Sequence, residues 1–292
     1  MRCPHSLRSA LACAAVIAAA GCERVVNVDL VEGTVRLVVE GRVELVLGAA
    51  DGRQRIRLTT TDAFANNGEP PPAAGARVEI SDDAGRAVLL AESATEPGVY
   101  VTDALVAEVG RTYTLRIDFE GDRYEASDRL LAVPSIDSIY FEFEEANIAV
   151  GDSGFRAAID YTDPAGERNY YLWEQLVDGE PQIVPDPGNR FRVIRNDDFT
   201  DGVTITGYQP YDEAVIEPGQ QVLVRQIALS EASYRFYFAL FEQAVGSQGS
   251  PFSAPPASVR GNVANLTTPS RYPLGYFVAA QVAEARARLS MP

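Results

Sequence analysis

The sequence predicts a mainly β fold with two antiparallel β-sandwich-like domains, the second of which carries one amphipathic helix. Three observations lead to this prediction. Hydrophobic residues make up 46% and charged residues 23% of the 292 residues, which is the composition of a folded globular protein. Apolar and polar residues alternate along much of the chain, as in the half-buried strands of antiparallel sheets. Turn-forming clusters separate these stretches at intervals of about 8–12 residues, which is typical of sandwiches.

Residues 1–21 have the features of a bacterial lipoprotein signal. Arg2 and Arg8 provide a positive start without any acidic residue, and residues 11–20 form an apolar run. This run is too short to cross a bilayer as a helix, which takes about 20 residues. It ends in Ala-Ala-Gly-Cys, which resembles a lipobox, so we expect cleavage before Cys22 and acylation of Cys22. The alternative is an ordinary secretory signal that leaves Cys22 as a free thiol.

Loss of this signal would remove most of the reactive side chains. His5, Cys3 and Cys13 lie within it, the chain contains no Lys, and the formal charge changes from −16 to −18 because two Arg and no acid are removed. The mature chain would then have no Ser-His-Asp triad, no Cys-His dyad, no Lys Schiff base and none of the usual zinc sites. The strong negative charge argues against a nucleic-acid partner, since phosphate binding depends on basic side chains.

We predict a lipidated tether over residues 22–30 and a first domain, a β-sandwich, over 31–132. The tandem prolines at 70–72 require a loop, because proline cannot donate to a ladder. The boundary is placed before Val133, since the preceding segment has the length of about one sandwich. Strands of the first domain are predicted at 35–45, 77–80 and 113–119, with a turn at 81–85 and a loop at 66–72.

The second domain is predicted over residues 133–292. Ser230 can cap a helix over about 231–245 that ends at Gly246, and its aromatic residues recur at helical spacing, which favours a packing face. The C-terminal tail is ambiguous, because 276–278 favours a strand whereas 283–289 favours a short helix. Strands of this domain are predicted at 136–144, 155–161, 169–177 and 222–229, with a turn at 163–166.

Two groups of residues are candidate ligand sites. Tyr170, Tyr171 and Trp173 offer large rings that a sugar or aromatic ligand could stack on, although alternation along a strand requires one face to be core. Asp197, Asp198 and Asp201 cluster oxygen ligands of the kind that Ca²⁺ prefers. Phe199 occupies a position at which an EF-hand needs an oxygen, so a solvated acidic turn is the favoured interpretation and no cofactor is expected.

A series of short motifs runs in order along the whole mature chain: CERV at 22–25, DL at 29–30, LVVEG at 37–41, GARV at 75–78, PGVY at 97–100, GRTYTL at 110–115, YEAS at 124–127, VPSID at 133–137, DP at 163–164, NYY at 169–171, NDDF at 196–199, DG at 201–202 and PLGYF at 273–277. With these motifs the chain resembles the bacterial lipoproteins of domain-of-unknown-function family 4249. Through GARVEI at 75–80 and GVY at 98–100, the first domain also resembles, more weakly, the small prealbumin-like sandwich that occurs on TonB-dependent receptors. This resemblance implies a prealbumin-like or immunoglobulin-like sandwich over residues 31–132.

The resemblance implies a Gram-negative outer-membrane lipoprotein, often encoded beside a TonB-dependent receptor, and it supplies no catalytic residues. We therefore expect a non-enzymatic binding or accessory component of a TonB-dependent uptake system. Its expected partners are the lipid bilayer, through acylated Cys22, and a TonB-dependent receptor. Glu23 does not match the aspartate that marks inner-membrane retention in some bacteria, so the outer membrane is favoured, in either a periplasmic or a surface-facing orientation. A structural or adhesive surface module and a carboxylate-based glycan hydrolase are the alternatives.

Overall fold

The computed structural model of the protein describes residues 33–49, 52–62, 68–146, 152–182, 190–247 and 259–290. The predicted signal peptide and tether, including Cys22, lie outside the described residues. From Thr34 to Pro292 the chain forms one unit. Strands dominate the described residues, so the predicted mainly β fold is confirmed.

The strands and helices follow in chain order. The first seven strands are β1 (Leu37–Val46), β2 (Gln54–Thr60), β3 (Arg77–Asp82), β4 (Ala87–Glu92), β5 (Val99–Thr102), β6 (Thr112–Phe119) and β7 (Asp122–Arg129). The remaining elements are β8 (Ile136–Glu144), β9 (Gly154–Thr162), β10 (Tyr170–Val177), β11 (Glu180–Pro181), α1 (Arg190–Val193), β12 (Ile194–Asn196), β13 (Thr204–Tyr208), β14 (Gln221–Ala228), α2 (Glu231–Ser247), β15 (Ala264–Asn265) and β16 (Leu274–Arg288).

Two sheets contain the described strands. In the larger sheet, which has 13 strands, neighbours follow the order β11-β10-β14-β16-β1-β2-β5-β4-β3-β6-β7-β15, and β12 also pairs with β10. The smaller sheet has the order β13-β9-β8. Neighbouring strands are antiparallel with one exception among the described residues: β1 and β16 run parallel, from the Val38–Leu274 pair to the Val46–Val282 pair.

The first hydrophobic core is formed mainly by residues of β1 to β7. Along β6 the side chains of Tyr113, Leu115 and Ile117 are buried and their neighbours are more exposed, as the alternation predicts. Residues from the end of the chain join this core, because Phe277 and Ala279 of β16 are fully buried in it. The last strand therefore completes a core that the first part of the chain begins.

Strand β16 differs from the prediction for the C-terminal tail. The tail continues as a strand to Arg288, so the short helix predicted at 283–289 is wrong. Residues 276–283 are all buried, because β16 is covered on both faces, and such strands read as continuous apolar runs without alternation. Pairing with β14 over Gln221–Ile227 outweighs the helix propensity of the alanine-rich end.

Helix α2 confirms the helix predicted at about 231–245, although it continues through Gly246, where we predict its end, to Ser247. The Ser230 Oγ accepts a hydrogen bond from the backbone N–H of Ser233 at 3.2 Å, which is the predicted N-cap. The aromatic face of the helix packs on one face of β10, β14 and β16, where Phe236 is buried and Tyr234, Tyr237, Phe238 and Phe241 are half-buried. The opposite face of β10 and β14 packs against the smaller sheet in a separate core. The domain boundary that we place before Val133 stays a prediction.

Candidate functional site

The three aromatic residues of the predicted stacking platform lie on β10 and are buried. Only 7% of Tyr170, 1% of Tyr171 and 0% of Trp173 is exposed. The predicted alternation holds: Tyr171 and Trp173 face the core against the smaller sheet, and Tyr170 packs on Tyr234 of α2, with ring centroids 4.9 Å apart. Protein thus covers both faces of the strand, which leaves no ring face on which a ligand could stack.

The predicted acidic group is only partly brought together. Carboxylate oxygens of Asp197 and Asp201 lie within 4.8 Å of each other and of an oxygen of Asp163, which begins the turn at 163–166. Asp198 is not a member of this group, because it pairs with Arg168 at 2.6 Å and accepts a hydrogen bond from Asn196. The sequence singles out both turns, but only the pairing of β9 with β13 shows that they meet.

Backbone and hydroxyl groups already hold each carboxylate of this group. Asp163 accepts a hydrogen bond from the Tyr171 hydroxyl at 2.6 Å, Asp197 accepts one from the Asn169 N–H, and Asp201 accepts one from the Gly166 N–H. Burial raises the pKa of Asp163, and the charges of Asp197 and Asp201 raise it further. These three residues are the ones that could hold a hard cation such as Ca²⁺ among the described residues.

A cavity that sequence patterns did not indicate lies between α2 and the larger sheet, on the face where α2 packs. Its volume is about 800 Å³, within the range of small-molecule sites. Phe236, Tyr237 and Leu240 of α2 line one side, and Val38 and Leu274 of the neighbouring parallel strands line the other. We call this cavity the helix–sheet groove.

The approach of β1 and β16 at the groove depends on Gly275. Its φ of 84° is in the left-handed region, and a Cβ atom at this position would overlap the backbone of Val39. Only glycine therefore allows β16 to begin beside β1. The PLGYF stretch, which contributes to the family resemblance, supplies this glycine at the groove.

A closed set of ion pairs lies along the groove. The Arg42 guanidinium contacts Glu44 and Glu174 at 2.9 Å each, and Arg225 contacts Glu44, Glu174 and Glu284. Burial alone would lower the pKa of Arg42 and raise that of Glu174, but their opposite charges reverse both effects, so the pKa of Arg42 is raised and that of Glu174 is lowered. Arg42 and Glu174 therefore stay charged at neutral pH, and the set of ion pairs joins β1, β10, β14 and β16.

The comparison with known families agrees with the resemblance seen in the sequence. A family model described as "Domain of unknown function (DUF4249)" matches residues 23–286. No curated protein matches the chain. None of the described helices is long and apolar enough to span a membrane. Because the match covers nearly the whole chain after Cys22, the protein belongs to the DUF4249 family.

Proposed function

We propose that the protein is a lipid-anchored, non-enzymatic binding lipoprotein of the outer membrane that acts as an accessory component of a TonB-dependent uptake system. The observation that carries the binding role is the helix–sheet groove, which combines a small-molecule volume with apolar walls and charged residues. The Ala-Ala-Gly-Cys sequence at 19–22 supports the anchor. The resemblance to lipoproteins encoded beside TonB-dependent receptors supports the accessory role.

The chemistry of the groove favours binding over catalysis. A carboxylate hydrolase needs a general acid whose pKa is raised, whereas the pKa of Glu174 is lowered by Arg42 and Arg225. Glu44 bridges the same two arginines. Both carboxylates are thus committed to ion pairs.

One observation supports a carboxylate-based glycan hydrolase as the second candidate function. Asp163 is buried, its pKa is raised, and its carboxylate lies within 4.8 Å of those of Asp197 and Asp201. Retaining glycosidases place two carboxyl groups about 5–5.5 Å apart. Glycan hydrolysis that is abolished by Asp163→Asn, in a variant that folds normally, would favour this candidate. A structural or adhesive surface module would instead show neither small-molecule binding nor hydrolysis.

The anchor and the accessory role can be tested in the same cells. We expect Cys22→Ala to move the protein out of the membrane fraction, because no lipid can then be attached, while Cys13→Ala, a matched change inside the signal, leaves it membrane-bound. Purification of the acylated protein in a mild detergent should recover a β-barrel receptor with it. Unchanged membrane association of Cys22→Ala would contradict the anchor, and the absence of a receptor would contradict the accessory role. Protease treatment of whole cells would distinguish the two orientations.

A further inference from the structure

We propose that the helix–sheet groove binds ligands that combine an apolar body with an anionic group. This inference rests on the proposed binding function and names the class of ligand.

Arginines are the main charged residues that line the groove, in a protein whose overall charge is strongly negative. Four arginines line it, Arg42, Arg53, Arg55 and Arg225, against two acidic residues, Glu40 and Glu44. The mature chain as a whole has a formal charge of −18, since only Arg2 and Arg8 are lost from a chain of −16. Carboxylates pair with all four arginines, but the pairs of Arg53 with Asp103 and of Arg55 with Glu96 are exposed, and exposed ion pairs are weak, so an anion can compete for these two guanidinium groups.

Two of these arginines face each other on neighbouring strands. Arg42 of β1 is directly opposite Arg55 of β2 in the antiparallel register. Like charges in such positions repel. Glu44 and Glu174 compensate the charge of Arg42, whereas Arg55 has the exposed Glu96 as its ion-pair partner among the described residues. An anion bound at this point would be attracted by both guanidinium groups.

Arg53 and Arg55 keep N–H groups that can donate hydrogen bonds to a ligand. Arg225 contacts three carboxylates, one from each of Nε, Nη1 and Nη2, so each of its nitrogens already has a partner. Within the described part of the chain, Arg55 pairs with Glu96 at 2.8 Å and Arg53 with Asp103 at 3.5 Å. A guanidinium carries five N–H donors, and one carboxylate accepts two of them at most. Arg53 and Arg55 are therefore the residues that we expect to recognise the anionic group.

The apolar part of the ligand is expected to contact α2. Leu240 is 41% exposed at the groove, beside Phe236 and Tyr237, and faces a lining that includes Val38 and Leu274. Covering these side chains removes apolar surface from water, which stabilises a complex by about 25 cal/mol per Å². A volume of about 800 Å³ limits the occupant to a small molecule or one acyl or aromatic group.

The test compares an anionic and a neutral probe of the same shape. The mature chain, residues 22–292 without acyl chains, would be titrated with 1-anilinonaphthalene-8-sulfonate and with N-phenyl-1-naphthylamine, whose fluorescence rises in an apolar site. We expect saturable binding of both probes, with the sulfonate bound more tightly. Arg55→Gln should weaken sulfonate binding by about tenfold, as expected for loss of a charge-assisted hydrogen bond, and leave the neutral probe unchanged.

Two further variants locate the site. Leu240→Glu should abolish binding of both probes, because it places a charge on the apolar wall. Arg77→Gln is the matched control: Arg77 and Arg55 are 56% and 53% exposed as side chains and each pairs with one glutamate, but Arg77 lies on β3, away from the groove. It should leave both affinities unchanged. Displacement of the neutral probe by dodecanoate and by dodecyl phosphate would then show whether a carboxylate or a phosphate is preferred.

The outcomes separate the ligand class from the proposed function. Equal binding of the two probes, with no effect of Arg55→Gln, would overturn the anionic ligand class and leave a binding groove in place. Failure of both probes to bind, or binding that Leu240→Glu does not change, would overturn the groove itself and with it the observation on which the proposed function rests.

Discussion

At the scale of single residues, buried polar groups divide into those with and those without partners. Gln54 is buried and its amide is satisfied by the backbone of Glu44 and by the Leu105 carbonyl. Gln175 and Gln226 are equally buried, yet neither amide has a hydrogen-bond partner among the described residues, and the indole N–H of Trp173 has none either. Burial of a polar group without a partner is unfavourable, so these positions are expected to lower stability.

The same substitution at two glutamines should therefore have opposite effects. Gln226→Met keeps the length of the side chain and removes an unpaired amide, and we expect it to raise the free energy of unfolding by about 1 kcal/mol. Gln54→Met removes three hydrogen bonds and leaves backbone groups unpaired, so it should lower this free energy by about 1–3 kcal/mol. Urea denaturation of the two variants measures both changes. Equal destabilisation by the two would contradict the absence of a partner at Gln226.

Asp122 is a buried carboxylate whose partners make it stabilising. It accepts hydrogen bonds from Asn265 at 2.9 Å and from Thr268 at 2.9 Å, and it pairs with Arg271 at 2.6 Å. Burial alone would raise the pKa of Asp122, but these partners bring it below the usual value. The carboxylate thereby ties the turn between β6 and β7 to the loop before β16.

The contribution of Asp122 to the free energy of unfolding should depend on pH in a defined direction. Because the pKa of Asp122 is lower in the folded than in the unfolded chain, its stabilising effect is complete above about pH 4 and is lost as the pH falls through the lower, folded value. Asp122→Asn should lower the free energy of unfolding by about 1–3 kcal/mol at pH 7, and the difference should shrink at pH 3. Asp118→Asn, which removes an exposed pair with Arg123, should change little at either pH. If Asp122→Asn lowered the free energy of unfolding equally at both pH values, this would contradict stabilisation by the ionised form of Asp122.

At the scale of elements, the sequence predicts best those that have one face in water. The alternation along β6 and the helical spacing of aromatic residues in α2 both arise because one face is buried and the other is solvated. β16 lacks such a contrast, because its residues contribute to three different cores. The sequence pattern of its C-terminal part is therefore ambiguous between strand and helix. The sequence pattern within one strand does not show whether other parts of the chain cover both of its faces.

Prediction of the candidate site from sequence had the same limit, because patterns do not show which distant residues come into contact. The helix–sheet groove combines residues of α2 with residues from both ends of the chain, such as Val38 and Leu274, which only the parallel pairing of β1 and β16 brings together. Asp163 and Asp201 likewise meet because two turns are adjacent in space. In contrast, the order of short motifs sufficed to identify the family, because that order does not require a knowledge of contacts.

At the scale of the whole molecule, the parallel pairing bears on the predicted domain boundary. Phe277 and Ala279 are buried in the core formed mainly by the first seven strands, and β16 covers one edge of β1 over the pairs from Val38 to Val46. We therefore expect the isolated fragment 31–132 to lack a cooperative thermal transition by circular dichroism, because it exposes this edge and leaves the Phe277 site empty. Co-expression with residues 133–292 should restore the transition. A cooperative transition of the fragment alone would support an independent first domain.

The placement of β16 also determines when folding can finish. β1 is the first strand of the described chain and β16 the last, yet they are neighbours, so one of the central contacts of the sheet joins residues more than two hundred positions apart. Contacts of such large sequence separation form slowly. During synthesis from the N-terminus, one edge of β1 stays unpaired until β16 has been made. The larger sheet therefore cannot be completed before the end of synthesis, and an unpaired strand edge is prone to aggregation until then.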